Sequence, residues 1–368
     1  MKRLIYCSTI PTSLNIFCRG LLRQLSDYYE IVAVTSPGEE LDEIAEREQV
    51  RCIPVQMRRE INPFADLRSL FRLIRLFRHE HPDAVHSFTP KAGLLCMLAA
   101  RIARVPVRIH TFTGLVWPTS TGFKRLILRT TDRLTCACTT HIIAEGQGVC
   151  NDLTNGHITH KPIEVLGYGN VRGIDLDYWQ PAPRTPQNTE ALRFIFVGRL
   201  VPDKGINELI QAFLQLLNRY PSSTLTLVGW YEDETPLQEQ TLQAIRQTSA
   251  IRYVGRHDDV RPFYQDADCL VFPSYREGFP NVVLEAGAMN LPSVVTDING
   301  SREIITSGEN GLIVPPHDVD RLLQAMLFMV ENPDARKRMC LRARTLIESR
   351  FDQKFVRKCQ IDYYKRIF

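Results

Sequence analysis

Short runs of β-branched and apolar residues alternate with amphipathic helical patterns along this chain, and the alternation begins anew once. The predicted strands before the break are Arg3–Cys7, Glu30–Thr35, Arg51–Pro54, Ala84–Ser87, Val107–Thr111, His141–Ala144 and Glu164–Leu166. The predicted helices include Ser13–Ser26, Glu40–Gln49, Ala65–His79 and Lys91–Ala103. Such alternation favours a parallel sheet covered by helices on both faces.

The break is a polar, proline-rich segment, residues 181–190, which we interpret as a linker. The strands predicted after it are Arg193–Val197, Thr224–Val228, Ile251–Val254, Cys269–Phe272, Ser293–Thr296 and Gly311–Val314. A chain of 368 residues is long enough for two domains. We therefore predict two doubly wound α/β domains, residues 1–180 and 191–350, with a C-terminal helix over residues 351–368.

Several classes of protein are disfavoured by the loops, apolar runs and cysteines of the chain. The segment after the first strand, residues 8–13, is not a GxGxxG loop, and the chain has no P-loop, which argues against dinucleotide cofactors and P-loop nucleotides. The longest apolar run, residues 93–100, is too short to cross a bilayer. The ten cysteines form no CxxC pair, which favours a reduced, cytoplasmic protein. We interpret the pairs Cys136/Cys138 and Asp175/Asp177 as structural and expect no metal site.

The segment after the predicted strand Cys269–Phe272 carries the strongest chemical signal. Glu277 and Gly278 lie in a loop, and a helix is predicted to begin near Pro280. The free N–H groups and positive dipole of that helix can bind a diphosphate. Glu285, one turn inside the helix, can accept hydrogen bonds from a ribose diol.

A second signal follows the first strand of the second predicted domain. Arg199 and Lys204 lie five residues apart in one strand-to-helix loop, and Gly198 allows close approach of the backbone. Two fixed cations can bracket a diphosphate, with charge-assisted hydrogen bonds of about 1.5–3 kcal/mol each. Taken singly, Glu285 fits a solvated helix residue, Arg199 an ion-pair partner and Gly198 a turn. Their joint occurrence at strand ends favours a ligand site.

Five segments together resemble the retaining, nucleotide-sugar-dependent glycosyltransferases of family 4. In the second half these are residues 198–205, 277–285 and 308–312, and in the first half residues 86–93 and 167–175. The first-half segments resemble those of capsule, O-antigen and exopolysaccharide enzymes. The resemblance covers nearly the whole chain and implies the GT-B fold, in which two Rossmann-like domains flank a cleft. It also implies that the C-terminal helix returns to the first domain.

The resemblance also implies roles for individual residues. Arg199 and Lys204 would hold the donor diphosphate, Glu277 the donor-sugar hydroxyls, and Glu285 the ribose. Backbone groups around Gly278, Phe279, Asn281 and Val282 would face sugar and phosphate, and Val254, Gly255 and Arg256 would lie near the nucleobase.

The chain departs from the family in the first domain. Many members carry a histidine in a loop after a strand, where this chain has Thr113, with His110 three residues earlier. His110 is the candidate for the histidine beside the reacting sugar, and its alternative is a buried strand histidine. His86, which we expect near the end of another strand, is a second candidate and fits a structural role equally well.

The implied reaction transfers a hexosyl or N-acetylhexosaminyl unit from a nucleotide diphosphate sugar, with a UDP-sugar favoured, and keeps the anomeric configuration. The glycan acceptor is expected on a polyprenyl diphosphate. Glu277 is then not the nucleophile, and acceptor attack from the leaving-group face is expected. Arg199 and Lys204 supply the charge that a metal would supply, so no cofactor is expected. The alternatives are a catalytically silent nucleotide-sugar-binding protein and a GT-B epimerase.

The net charge of +4 conceals an uneven distribution of charged residues. Residues 51–133 contain 15 basic against 5 acidic residues, and residues 335–368 contain 11 against 3. On a helical projection Arg68, Arg72 and Arg75 share one face, and Lys91 follows in the motif of residues 86–93. We interpret these cations as an acceptor-side surface for anionic lipid at the inner face of the membrane, with a solvated face as the alternative. No nucleic-acid-binding module is apparent.

Overall fold

The computed structural model describes residues 1–58, 62–182 and 191–368, which form two compact units. Residues 1–172, apart from 59–61, and residues 356–368 make the first unit, and residues 173–355, apart from 183–190, make the second. The sequence prediction placed the limits at residues 180 and 350. Most of the predicted linker, residues 183–190, lies outside the described residues.

The first unit is built on a seven-stranded parallel sheet with the order β3-β2-β1-β4-β5-β6-β7. The strands are β1 (Arg3–Cys7), β2 (Glu30–Thr35), β3 (Arg51–Pro54), β4 (Ala84–Phe88), β5 (Val107–Phe112), β6 (His141–Ala144) and β7 (Ile163–Glu164). The helices are α1 (Pro11–Cys18), α2 (Leu21–Ser26), α3 (Glu40–Glu48), α4 (Pro63–Glu80), α5 (Pro90–Ile102), α6 (Gly122–Cys138) and α7 (Gln147–Asn155). The central strands are buried on both faces, as parallel strands are when helices cover a sheet.

The prediction of one helix over residues 13–26 is wrong, because α1 and α2 are separate helices. Gly20 between them has a φ of 71°, which breaks the helical path. Arg357 lies against this break, and its guanidinium donates a hydrogen bond of 2.7 Å to the carbonyl oxygen of Arg19. Arg357 lies on the C-terminal helix (Gln353–Ile367), and residues 356–368 of the chain pack as part of the first unit.

The second unit is built on a six-stranded parallel sheet with the order β10-β9-β8-β11-β12-β13. The strands are β8 (Arg193–Val197), β9 (Thr224–Val228), β10 (Ile251–Gly255), β11 (Cys269–Phe272), β12 (Ser293–Thr296) and β13 (Gly311–Val314). The helices are α8 (Ile206–Leu217), α9 (Glu239–Gln247), α10 (Arg261–Asp266), α11 (Asn281–Ala288), α12 (Ser301–Ile304), α13 (Val319–Glu331) and α14 (Pro333–Phe351). The strand order reverses between β8 and β11, where ligands of such sheets bind.

Candidate functional site

The loop after β11 leads into helix α11 at the reversal point of the second sheet. Residues 273–280 form the loop, and α11 begins at Asn281 directly after Pro280. Gly300, with a φ of 72°, closes the neighbouring loop tightly on this one, since a β-carbon there would lie 2.5 Å from the Gly278 carbonyl oxygen. The first turn of a helix has N–H groups with no partner inside the helix. Helix α11 therefore offers an anion-binding end beside Glu277.

Lys204 and Glu277 form an ion pair at this end of the sheet. Lys204 ends a short 3₁₀ turn (Pro202–Lys204) after β8, and its Nζ donates to Oε1 of Glu277. The hydroxyl of Ser274 also donates to that oxygen, over 2.7 Å. The Lys204 and Glu277 side chains are 15% and 16% exposed, so the pair is shielded but reachable. The structure thus brings together two of the predicted donor residues.

Gly205 explains how Lys204 comes so close to the loop after β11. Its φ is 70°, and a β-carbon there would lie 2.8 Å from the carbonyl carbon of Pro273. Tyr275 also donates a backbone hydrogen bond of 2.9 Å to the carbonyl oxygen of Asp203. The two loops are thus packed backbone to backbone, which fixes the position of the Lys204–Glu277 pair.

Arg199 has a carboxylate partner that the sequence did not reveal. Its Nη1 donates to both carboxylate oxygens of Glu232, at 2.9 Å each. The Leu200 N–H donates to the Trp230 carbonyl oxygen over 2.8 Å, and Leu200 forms an isolated bridge with Tyr231. The loops after β8 and β9 therefore run side by side beyond the strands. The Arg199 and Glu232 side chains are 41% and 34% exposed, much more than Lys204 and Glu277.

The remaining predicted donor residues lie on the same unit. Glu285 is buried on α11. Gly255 ends β10 with a φ of 80°, and Val254 precedes it. The Arg256 guanidinium lies 5.3 Å from the ring centre of the exposed Trp230. A cation over an indole ring forms a flat platform at the strand ends. Phe279 is buried against Phe351, with ring centres 5.4 Å apart, so it contributes packing as well as backbone groups.

A cleft of about 570 Å³ opens next to the Arg199–Glu232 pair. We call it the Tyr231 cleft, because the rings of Tyr231 and Tyr253 stand 4.9 Å apart in its wall. Its lining comprises Leu200, Tyr231, Glu232, Asp233, Pro236, Leu237, Leu242, Ile245, Arg246 and Tyr253. The cleft is therefore mainly apolar, with charged groups at Glu232, Asp233 and Arg246.

In the first unit, His86 is enclosed in a polar network. It lies in the middle of β4, not near its end, and its Nε2 is 2.7 Å from the hydroxyl of Thr111. Its Nδ1 is hydrogen-bonded to the hydroxyl of Tyr364 from the C-terminal helix, which also contacts the hydroxyl of Tyr6. Burial, with a further contribution from His110, holds the pKa of His86 well below its usual range. The contacts match the structural alternative for His86.

His110 is likewise buried in the sheet. Its Nδ1 is 2.8 Å from the Ser87 hydroxyl, and burial lowers the pKa of His110 to about 3. Gly93 of α5 lies directly against the ring. The cavity that His110, Thr113 and other residues line measures about 10 Å³, the space of about one water molecule. The structure places His110 as a buried strand histidine, and its catalytic role stays a prediction.

Thr113 has a titratable neighbour that the sequence did not single out. Asp132 of α6 lines the same small cavity, and burial raises its pKa to about 7. The pattern of α6 could not reveal this contact, because Asp132 is 19 residues from Thr113 in the sequence. Glu232 and Ser274 were missed for different reasons. Ser274 adjoins the predicted loop residues, whereas Glu232 lies among three consecutive acidic residues, of which any could be the partner.

The basic helices of the first unit carry exposed aromatic residues. Arg68, Arg72 and Arg75 are exposed on α4, as predicted. Phe64 and Phe71 on the same helix are 89% and 62% exposed. Helix α6 also exposes large apolar side chains, Phe123 and Leu126, next to Lys124 and Arg125. Exposed aromatic side chains next to basic ones on a helix are typical of an interaction surface.

Lys91 differs from these arginines because it forms a shielded ion pair. Its Nζ lies 2.8 Å and 3.0 Å from the two carboxylate oxygens of Asp66. This contact ties α5 to α4, so the charge of Lys91 is largely neutralised. Within the described ranges, no helix is long and apolar enough to span a bilayer.

Comparisons with known proteins agree with the two-unit organisation. A family model described as "Glycosyl transferase 4-like domain" matches residues 14–169, and one described as "Glycosyl transferases group 1" matches residues 191–332. The chain is 31% identical to the capsular polysaccharide biosynthesis glycosyltransferase CapM of Staphylococcus aureus, over 96% of this chain and 94% of that protein. It is 27% identical to the UDP-Gal:alpha-D-GlcNAc-diphosphoundecaprenol alpha-1,3-galactosyltransferase of Escherichia coli, over 74% of this chain and 73% of that protein.

Solved structures share the fold. Anabaena Alr3699/HepE in complex with UDP superposes with a TM-score of 0.79 and 17% identity, and all of both chains is covered. At 17% identity, this likeness is evidence for a shared fold only. The predicted fold class, with two parallel-sheet α/β domains, is confirmed.

Proposed function

Because the chain belongs to the family 4 glycosyltransferases, which have the GT-B fold, we propose that it transfers one sugar to a lipid-linked glycan. The donor is a UDP-sugar carrying a hexose or an N-acetylhexosamine. The acceptor glycan is carried on a polyprenyl diphosphate, and the product is a precursor of cell-surface polysaccharide. The observation that carries this proposal is the convergence of Lys204, Glu277 and the start of α11 at the strand reversal point.

The donor site is assigned from the charge and geometry of the second unit. The start of α11 and Lys204 would bind the diphosphate, with Arg199 as the second cation. Glu277, held by Lys204 and Ser274, would accept hydrogen bonds from the donor-sugar hydroxyls. Glu285 would bind the ribose from inside α11. The Arg256–Trp230 platform would face the nucleobase.

The reaction we propose proceeds with retention of configuration. The bond between the sugar C1 and the β-phosphate oxygen breaks, and a bond from C1 to the acceptor oxygen forms on the same face. The acceptor proton passes to the departing phosphate oxygen. Lys204, Arg199 and the α11 dipole stabilise the negative charge that develops on that phosphate, and such fixed charge makes a large contribution to catalysis. We propose that these groups take the place of a metal ion, which assays with and without EDTA would test.

The choice of donor and acceptor rests on the relatives. The Escherichia coli relative uses UDP-Gal and a diphosphoundecaprenol-linked sugar, as its name states. The Anabaena structure contains UDP. The Staphylococcus aureus relative serves capsule synthesis. A polyprenyl carrier would keep the acceptor at a membrane surface, which fits the exposed arginines and phenylalanines of α4 and α6.

Nucleotide-sugar binding and product analysis together test this function. Thermal shift with UDP-, GDP- and ADP-sugars should give the largest increase in Tm with a UDP-sugar, because ligands stabilise the state that they bind. Incubation with that donor and a polyprenyl-diphosphate glycan should give an α-linked product, seen by NMR, if the donor is α-linked. Binding without transfer to any lipid-linked glycan would identify a silent binding protein, and release of an epimerised sugar would identify an epimerase. No shift with any nucleotide sugar would refute the proposal.

Vesicle flotation tests the membrane surface separately. The protein should float with vesicles that contain phosphatidylglycerol and much less with pure phosphatidylcholine, because each cation near an anionic surface contributes roughly 1 kcal/mol. Replacing Arg68, Arg72 and Arg75 by glutamine should abolish the difference. Replacing Phe71 by serine should weaken binding to the anionic vesicles, since its exposed ring would enter the lipid interface. Equal binding to both vesicle types would contradict an anionic-lipid surface.

A further inference from the structure

Glu232 is paired with Arg199, one of the two cations that the donor diphosphate would need. Both of its carboxylate oxygens lie 2.9 Å from Nη1 of Arg199. A carboxylate and a diphosphate carry charge of the same sign, so they repel each other when they share one guanidinium. Binding of a diphosphate at Arg199 therefore either is weakened by Glu232 or moves the Glu232 side chain away.

The backbone at both residues is held in place, so any movement belongs to the side chain. Leu200, next to Arg199, is bridged to Tyr231, next to Glu232. The Glu232 carbonyl oxygen also accepts a hydrogen bond of 3.2 Å from Thr235 at the following turn. The Glu232 side chain is 34% exposed, which leaves it free to change rotamer.

The Tyr231 cleft provides a second position for the carboxylate. Glu232 lines this cleft, and Arg246 of α9 lines it too. Burial raises the pKa of Tyr231, and the positive charge of Arg246 opposes that rise, so Arg246 acts on the same part of the cleft. A volume of about 570 Å³ accommodates a change of rotamer without displacing the wall.

We propose that Glu232 is a two-position carboxylate, which holds Arg199 when the donor is absent and turns to Arg246 when a diphosphate binds. The inference rests on the proposed function, since it requires the diphosphate at Arg199. It makes Arg246 a residue that favours donor binding without touching the donor. A ligand without the diphosphate does not displace Glu232, so its binding is independent of this carboxylate.

The Lys204–Glu277 pair differs from the Arg199–Glu232 pair, and its carboxylate does not need to move when a phosphate binds. An ammonium group has three N–H donors and a guanidinium group has five, so the difference between the two pairs lies in how each carboxylate is held. Glu277 is also held by Ser274, and its side chain is half as exposed as that of Glu232. Glu277 thus remains in place, whereas Glu232 has one ionic partner among the described contacts.

Calorimetric titration of the whole protein with UDP tests the proposal. Glu232→Gln should lower the Kd for UDP about threefold, the size expected when an exposed ion pair no longer competes. Arg246→Gln should raise the Kd by about the same factor, because the carboxylate loses its second partner. In the double variant Arg246→Gln should have no effect beyond that of Glu232→Gln. Uridine, which lacks the diphosphate, should bind the wild type and Glu232→Gln equally.

Glu234→Gln is the matched control, because it removes the same charge from an exposed position of the same loop. It should leave the Kd for UDP unchanged. An equal gain in Glu234→Gln would reduce the effect to net charge, and a weaker affinity in Glu232→Gln would show that Glu232 orients Arg199 for the ligand. Either result overturns the proposal. Failure of the wild type to bind UDP would overturn the proposed UDP donor itself, so the two failures are distinguishable.

Discussion

Two histidines of the first unit and two cations of the second unit lie in opposite surroundings. In the first unit His86 and His110 are buried in adjacent strands, and side-chain hydroxyl groups lie within hydrogen-bonding distance of both rings. In the second unit Arg199 and Lys204 follow a strand and remain partly exposed, each paired with a carboxylate. Burial keeps the two histidines neutral, because it disfavours the charged form of the ring.

The difference comes from what covers each group. Tyr364 of the C-terminal helix lies on His86, and Gly93 allows α5 to lie on the ring of His110. In the second unit the glycines bring loops together beside the cations and do not cover them. A titratable residue in a strand or just after one is therefore available to a ligand only when the elements packed around it leave it open.

The largest expected effect is on sugar transfer, where a lysine of the second unit should differ from a lysine of the first. Lys204→Met should reduce sugar transfer at least about a hundredfold, because a fixed charge next to the leaving phosphate is lost. Lys161 of the first unit donates to the carbonyl oxygens of Cys136 and Thr139 at the end of α6. Lys161→Met should lower the Tm and leave turnover unchanged. Steady-state assays and thermal melts of both variants measure this, and near-normal turnover in Lys204→Met would contradict the assignment.

The next effect tests how closely α5 covers His110. A β-carbon at Gly93 would lie 2.8 Å and 2.9 Å from the two ring nitrogens of His110. Gly93→Ala should therefore destabilise the protein by about 2 kcal/mol, as overpacking of a core does. The loss should be much smaller when His110 is also replaced by alanine. Urea unfolding of the four proteins of this cycle measures the coupling, and additive losses would show that the ring does not oppose the new methyl group.

Acid should weaken the first unit through its histidines. A histidine with a lowered pKa in the folded state binds fewer protons than it does in the unfolded chain. Its contribution to stability is therefore complete above the unfolded pKa, near 6.5, and declines as the pH falls towards the folded pKa of His110, about 3. Each buried histidine should contribute up to about 1.4 kcal/mol per pH unit in that window. Urea unfolding between pH 7 and 5 should show that the unfolding free energy of His110→Gln depends less steeply on pH than that of the wild type. An unchanged dependence would contradict burial of the neutral histidine.

The smallest expected effect concerns the hydroxyl of Tyr364. Tyr364→Phe removes the partner of His86 Nδ1 and of the Tyr6 hydroxyl. We expect a loss of about 1 kcal/mol in unfolding free energy, since buried polar groups lose their hydrogen bonds. Tyr363→Phe is the matched control on the same helix. A loss in Tyr363→Phe as large as in Tyr364→Phe would show that the effect does not depend on the His86 network.

The strands could be predicted almost residue by residue, because β-branched runs between helical patterns leave few alternatives. The first strands of both sheets have the predicted bounds, whereas β7 begins one residue and ends two residues earlier than predicted. The helix over residues 13–26 was predicted wrongly because the apolar periodicity continues across Gly20, whose φ of 71° breaks the helical path. The hydrogen bond of Arg357 at this break joins residues far apart in the sequence, so the local pattern does not contain it.

The candidate site was predictable where it depends on local sequence. Glu277, Gly278 and the start of α11 follow from one strand and one proline, and Lys204 follows from the loop after β8. The partners of these groups were not predictable. Glu232 and Tyr364 reach Arg199 and His86 through the order of the strands and the path of the last helix, which no spacing in the sequence encodes.

The first unit is assembled from two separate segments of the chain, which sets the order in which it can be completed during synthesis. Residues 356–368 leave the ribosome after the segment of the second unit, and they supply Tyr364 and Arg357 to strands and helices made earlier. Until then His86 lacks its hydrogen bond to the Tyr364 hydroxyl, and the turn at Gly20 lacks its contact with the Arg357 guanidinium. The second unit, residues 173–355, can finish folding while the first still waits for its closing helix.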